Sequence, residues 1–390
     1  MNPKKLHETE LVLDPKPAAH FGVGSVAKVG ELAKAQGAKK ALIITDPFLA
    51  ASEITKKVSD SLKAAGIEVE IFGGVTPNPT TACVDEGSDV ATKADADILI
   101  ALGGGSSMDT AKGVSLGANN PERGIGLDYT TNFKHEGVPI IAIPTTAGTG
   151  SEVNAFGVIT DEATHRRFYV GHSSALAKAA ILDPELTLGL PPKATAATGM
   201  DALVHATESY LSIRPNPYSD AIALGVIKMV SENLETAVAN GSDIEARSQM
   251  LLASHIAGVG FSHTGLGLVH GIGHALGGGF NIPHGNALCI VLEEVLRYNF
   301  PVRTERMADI AFALGVGVTS KDSAENAELA IAAIAGMVDS VGLRATLSDY
   351  SITEADFDSL AETTLADAVT INNPQKPSHQ DVVSILKKVI

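Results

Sequence analysis

The chain has no tryptophan, and aromatic residues make up only 4% of it. Platforms that hold single-stranded nucleic acid are built from stacked aromatic rings, so that class of partner is not expected. Basic residues are also scarce: 29 Lys and Arg stand against 45 Asp and Glu, a formal net charge of −16. This balance argues against nucleic acid or an anionic membrane as the main partner. It leaves room for a small anionic cofactor, because backbone N–H groups hold phosphate without any basic surface. Cysteines are few, Cys83 and Cys289. They are far apart, so no disulfide framework is expected and a reducing cytoplasm fits. No window approaches the roughly eighteen apolar residues of a transmembrane helix. The opening stretch MNPKKLHETELVLD lacks the apolar run of a signal peptide.

What is present is 390 residues, 45% of them hydrophobic, enough for two or three domains with sizeable cores. The first half alternates short apolar runs with helical stretches. KALIITD (40–46), VEIF (69–72), DILIAL (97–102) and PIIAIPTT (139–146) read as strands, and 26–36 and 54–65 as helices between them. Such alternation predicts a mainly parallel sheet covered on both faces. Beyond about Pro191 helical segments follow one another: 194–211, 218–240, 244–258, 286–299, 304–314 and 324–341. We therefore expect an α/β domain over 1–187 and an all-helical domain over 188–390, joined near LDPELTLGLPP (182–192), where three prolines and a glycine suit a linker.

DILIALGGGSSMDTAK reads strand, glycine loop, helix. Gly103, Gly104 and Gly105 allow close backbone approach, and Ser106 or Ser107 is expected to cap the helix. Such a turn points N–H groups at whatever lies beyond the strand, and that suits a pyrophosphate as well as it suits a plain tight turn. Asp46 ends the first clear strand. It is either a helix cap before Pro47 or a carboxylate for a ribose, which would favour NAD over NADP. TPNPTT (76–81) and PTTAGTGSE (144–152) also follow strands, at the edge where open parallel sheets bind ligands.

LVHGIGHALGGGFNIPHG (268–285) holds three of the chain's twelve histidines. His270 and His274 share a face if the segment is helical. Their spacing is that of HExxH, but Gly271 stands where that motif has its glutamate, so a zinc-protease reading fails. Upstream, Asp201 and His205 form a second i, i+4 pair. With His284 this makes five candidates for a site that needs three or four ligands, and imidazoles with one carboxylate suit iron, zinc or a neighbouring first-row metal. His7, His20, His135, His165, His172, His255, His263 and His379 have no such partners and are given no role.

Taken together, PNPT, GGGSSMDTAK, IPTTAGTGSE, VITDE, ILDPELT, LPPKATAATGMDALVHATESY, GLVHGIGHALGG and PHGNA resemble the iron-dependent (group III) alcohol dehydrogenases along nearly the whole chain. The branch of lactaldehyde reductase and propanediol oxidoreductase is nearest in pattern. The resemblance implies a nucleotide-binding α/β domain, a helical domain and an active site in the cleft between them. It implies NAD and Fe²⁺ (or Zn²⁺ or a similar ion), a small alcohol or aldehyde substrate, and a homodimer or larger homo-oligomer. Asp201, His205, His270 and His284 fall on the metal ligands, and His274 falls beside metal and nicotinamide, for orientation or proton transfer. Gly104, Gly105 and Ser106 would hold the pyrophosphate and Asp46 the ribose. Asn78, Thr145, Thr146, Thr149 and Arg167 match cofactor-side positions. Departures are Arg167 where the family commonly has lysine, Ala275 for proline, Leu292-Glu293 for LP, and Gln375 for arginine; none removes a ligand. Phe156, Val158 and Phe261 are expected either to line the pocket or to sit in the core. Alternatives are a glycerol dehydrogenase-like or dehydroquinate synthase-like enzyme, or a non-catalytic nucleotide- or metal-binding protein.

Overall fold

The computed structural model describes residue 13 and residues 16–164 and 167–390; His7 and His165 lie outside the described residues. Six parallel strands form one sheet: β1 (Ala18–Phe21), β2 (Lys40–Ile44), β3 (Glu68–Phe72), β4 (Ile98–Gly103), β5 (Ile140–Pro144) and, after a hairpin, β8 (Ala179–Leu182), in the order β1-β8-β5-β4-β2-β3. Alternate side chains feed opposite faces. Ile43, Ile100, Ile143 and Ile181 pack with Val29, Val58 and Leu62 on one side. Leu42, Leu99 and Ala142 pack with Met108, Ala111 and Val114 on the other. This is the two-faced burial that the apolar runs predict.

The antiparallel hairpin β6 (Phe156–Thr160) and β7 (Arg167–Gly171) stands apart from the sheet. From Pro192 onward the chain is helical: Pro192–Leu211, Pro217–Ala239, Ile244–Thr264, Leu268–Phe280, His284–Ala313, Ser323–Ser340, Phe357–Ala366 and His379–Lys388, with short 3₁₀ turns between some of them. The two helices expected at 286–299 and 304–314 lie within His284–Ala313 and meet at a kink, where Pro301 removes a donor and Arg303 leaves helical geometry. One apolar cluster, with Leu203, Val226, Ile272, Leu288 and Ile334 among its members, unites these helices. Among the described residues, no helix is long and apolar enough to cross a membrane.

The topology sets the site. From β2 the chain moves outward to β3, and from β4 it moves the opposite way to β5. The loops after β2 and β4 therefore flank the point where strand order reverses, which is where open α/β sheets bind ligands.

Candidate active site

The glycine loop sits at this reversal. Gly103 has φ 142°, a conformation open to glycine, and Gly104 is the N-cap of the helix Gly105–Asn119. No side chain caps that helix. The serines expected to do so lie inside its first turn, because the helix begins two to three residues earlier than the sequence suggests. Its first N–H groups are left for a ligand. Thr145 N–H donates to the Gly103 carbonyl (2.9 Å), which holds the β5 loop beside the glycines. Thr146 and Thr149 crowd Gly104 and Gly105, where added Cβ atoms would stand 3.1 and 2.9 Å from their methyls. Asp46 Oδ1 accepts from the N–H groups of Phe48 (2.9 Å) and Leu49 (3.0 Å), capping Pro47–Ala50. Asp46 is thus a helix cap, with its second oxygen uninvolved in the cap. Asn78 Oδ1 accepts from Arg167 Nη2 (2.7 Å), and Asn78 Nδ2 donates to Asn281 (2.9 Å), at the end of the helix Leu268–Phe280.

Behind the glycine loop lies a buried ammonium. Lys112 Nζ donates to Ser151 Oγ (2.6 Å), Asn154 Oδ1 (3.0 Å) and the Phe156 carbonyl (2.6 Å), joining the glycine-loop helix to the segment after β5. Burial pushes its pKa down from 10.5 to about 8, against the charges of Asp109 and Glu152. Between pH 8 and 10.5 the unfolded chain holds this proton and the folded chain does not, so stability rises with pH across that window. Urea melts should show wild type gaining on Lys112→Met by on the order of 3 kcal/mol as pH rises through that window. A pH-independent difference would contradict this.

The metal candidates meet on the helical side. The helix Pro192–Leu211 starts with Pro at its first position and is buried along most of its length. Asp201, His205 and Glu208, at i, i+4 and i+7, form a polar stripe on this buried helix. Asp201 Oδ1 stands 3.4 Å from His205 Nε2, 3.4 Å from His270 Nε2 and 3.5 Å from His284 Nε2. The first two rings stack, with centroids 4.7 Å apart. His284 opens its helix directly after Pro283. The next residue, Gly285, packs so tightly on the Asp201 helix that a Cβ would stand 2.6 Å from the Ala197 carbonyl carbon.

The second ring nitrogens fix the tautomers. A carbonyl or carboxylate only accepts, so His205 Nδ1–H donates to Gly148 O (3.2 Å) and His270 Nδ1–H to Glu208 Oε2 (2.6 Å). In the neutral rings both Nε2 lone pairs then face Asp201. His270 Nε2 and Asp201 Oδ1 are buried without a hydrogen-bond partner. Orphaned buried lone-pair atoms, one of them anionic, converging on one point are what a cation site needs. Ligand atoms of Asp201, His270 and His284 lie within 4.8 Å of one another. Burial alone would raise the Asp201 carboxyl, but the charges of His205 and His284 hold it well below the usual range. Burial pushes His205 down to about 3. Burial also disfavours the charged form of His270, yet the Glu208 carboxylate outweighs it and lifts the ring to about 9.

Glu208 is a site residue that the sequence reading missed. Its other oxygen accepts the Val269 N–H (2.7 Å), so it also satisfies the N-terminus of the helix that carries His270 and His274. Its position seven residues after Asp201 was the available signal. In Glu208→Gln the amide cannot accept from both Val269 and His270, and the wrong imidazole tautomer is favoured. Metal affinity should fall on the order of tenfold, measured by competition with a chelator. Unchanged affinity would contradict the orienting role.

His274 sits one turn beyond His270 but does not face Asp201. Its Nδ1–H donates to Asp367 Oδ2 (2.7 Å), whose Oδ1 accepts from Tyr169 OH (2.8 Å). Asp367 and Tyr169 were not legible in the sequence. The ring lines a cavity of about 880 Å³ together with Asp201, His205, His270 and His284, and with Gly105, Ser106 and Thr149 of the glycine-loop side. Phe156, Val158 and Phe261 line it too. His255, given no role, pairs with buried Glu152 at 3.0 Å, and His263 meets the Tyr218 ring edge-on.

Two family models account for almost all of the chain. "Iron-containing alcohol dehydrogenase" matches residues 16–184, and "Fe-containing alcohol dehydrogenase family, C-terminal" matches residues 195–390. The chain belongs to the iron-containing alcohol dehydrogenase family. Among its relatives, the NAD-dependent methanol dehydrogenase of Bacillus methanolicus is 40% identical over 374 residues, spanning 96% of this chain and 98% of that one. The lactaldehyde reductase of Escherichia coli K12 is 39% identical, with 94% and 96% spanned. A solved 1,3-propanediol oxidoreductase matches with a TM-score of 0.93 at 38% identity, covering 97% of this chain and 100% of that one. For an iron-containing alcohol dehydrogenase, the departure at Ala275 leaves the helix Leu268–Phe280 unbroken.

Proposed function

We propose that the chain is a metal-dependent NAD(H) alcohol dehydrogenase that transfers hydride reversibly between a primary alcohol or small diol and its aldehyde. The observation that carries this reading is the convergence of three imidazole nitrogens on one orphaned carboxylate oxygen, in a cavity shared with the glycine loop. Asp201, His205, His270 and His284 would hold the ion. Gly104, Gly105 and Ser106 would take the pyrophosphate on N–H groups, and the free oxygen of Asp46 the ribose. Asn78, Thr145, Thr146, Thr149 and Arg167 would flank the cofactor. In this reading residues 1–187 are the nucleotide half and 188–390 the metal half. When bound, the ion supplies a Lewis acid at the alcohol or aldehyde oxygen, and NAD carries the hydride.

The chain's own residues do the rest. Asp201 brings one negative charge to the ion, leaving it net positive as Lewis acidity requires. Gly148 and Glu208 aim the imidazoles. His274, held through Nδ1–H by Asp367, presents Nε2 to the cavity and would take the alcohol proton or return it to the aldehyde. A homodimer or larger homo-oligomer belongs to the same reading; edge strand β1, with Phe21 and nearby Val23 exposed, offers apolar surface for a partner.

The test is an anaerobic purification with metal analysis, followed by NADH formation from NAD⁺ over short primary alcohols and diols, with Fe²⁺ and Zn²⁺ compared. Alcohol-dependent NADH is expected with at least one metal. Binding of NADH and metal without turnover of any alcohol would favour the non-catalytic alternative.

A further inference from the structure

The loop that follows β5, residues 145–153, touches both halves of the site. Thr145 N–H donates to the Gly103 carbonyl, and Thr149 packs so closely on Gly105 that a Cβ there would stand 2.9 Å from its methyl. Between these two contacts, the Gly148 carbonyl accepts from Nδ1–H of His205 (3.2 Å). Gly148 itself lies against the helix Pro192–Leu211, where a Cβ on it would stand 2.8 Å from the Thr198 carbonyl carbon. One short segment therefore shapes the glycine turn and aims a metal candidate.

What holds this segment lies outside the cavity. Glu152 and His255 are both buried, at 3% and 6% exposure, and neither lines the cavity. A carboxylate only accepts, so His255 Nδ1–H donates to Glu152 Oε1 (3.0 Å). A buried carboxylate without such a partner is strongly unfavourable. His255 belongs to the helix Ile244–Thr264, which the helical core fixes through Met250, Leu251, Ala253 and Ala257. On the same helix, Gly258 meets the loop backbone directly. A Cβ on Gly258 would stand 2.7 Å from the Gly150 carbonyl oxygen and 2.5 Å from the Val153 side chain. Gly150 has φ 57°, a left-handed turn that glycine adopts without steric cost. The loop is thus pinned to the helical half by one buried pair and one close backbone contact.

We infer that Glu152 and His255 are positioning residues, which from outside the cavity set the cofactor turn and the metal ligand His205 through one shared anchor. The inference rests on the dehydrogenase reading above. Loosening the anchor should weaken nucleotide binding and metal binding together, although the two ligands meet different residues.

The test measures the two ligands separately on the full chain stripped of metal. ADP-ribose is titrated by calorimetry with no metal present, and Zn²⁺ by competition with a chelating dye with no nucleotide present. Neither reading then contains a direct contact between the ligands. His255→Phe removes the donor and leaves Glu152 buried without it, whereas His255→Gln keeps an N–H to give. Gly258→Ala pushes the loop away with a single methyl, and it decides the matter alone should His255→Phe not fold. Both affinities should fall about fivefold or more in His255→Phe and in Gly258→Ala, and His255→Gln should recover most of each. A lower melting temperature with both affinities unchanged, or the loss of one affinity alone, would overturn the inference and leave the dehydrogenase reading standing. Wild type that binds neither ADP-ribose nor Zn²⁺ would sink that reading, and the inference with it.

Discussion

Asp201→Asn should lower kcat/KM for any alcohol substrate by at least about a thousandfold, or roughly 4 kcal/mol of transition-state stabilisation. The substitution is nearly isosteric, so the fold should survive and circular dichroism should be unchanged. What it removes is a carboxylate shared by three imidazoles: Oδ1 stands 3.4–3.5 Å from each Nε2. That carboxylate is 2% exposed and held ionised by the surrounding histidines. Without it a divalent ion would enter a buried site with no charge to meet it, and a buried unpaired charge is strongly unfavourable. The same variant should bind well under one ion per chain in metal analysis. Turnover within tenfold of wild type would show that Asp201 is not a ligand.

His274→Ala should retain metal and lose about a hundredfold in kcat, the size of a general acid–base contribution. His274 differs from its neighbour one turn back in what its Nδ1 meets. Glu208 leaves His270 Nε2 facing Asp201, whereas Asp367 turns His274 into the cavity. Burial lowers the His274 pKa below its ordinary 6.5, against the opposing charge of Asp367. The neutral, proton-accepting form therefore prevails at neutral pH. Alcohol oxidation needs that form, so kcat/KM should fall as pH drops through a limb below 6.5, and the variant should lack this limb. Full turnover with an unchanged pH profile would remove His274 from the proton path.

Much of this was legible in the sequence, for identifiable reasons. Strands β2, β3, β4 and β5 announce themselves as apolar runs, because both faces of their sheet are covered. Strands β1 and β8 do not: AAHF is an edge strand with mostly exposed side chains, and AAIL is too short and alanine-rich to stand out. Helical spacing collects the pairs Asp201 with His205 and His270 with His274, to which His284 adds a fifth candidate, yet spacing treats His270 and His274 as equivalent; the family resemblance is what set His274 apart. Their difference lies in Glu208 and Asp367. Asp367 comes from a segment about ninety residues beyond His274 in the chain, and its contact leaves no local pattern. Asp46 shows the reverse. Its cap to Phe48 and Leu49 is a local feature that Pro47 made readable, and it does not by itself reveal a ligand.

Metal binding and hydride chemistry are assigned to one and the same site. The most direct measurement is an anaerobic titration of metal-stripped protein with Fe²⁺, following bound ion and alcohol-dependent NADH formation on the same samples. The expected result is a rate that climbs in proportion to bound ion, stops at one ion per chain, and is reversed by a chelator. Full turnover in the stripped protein, or one tightly bound ion per chain with no NADH from any alcohol, would contradict it.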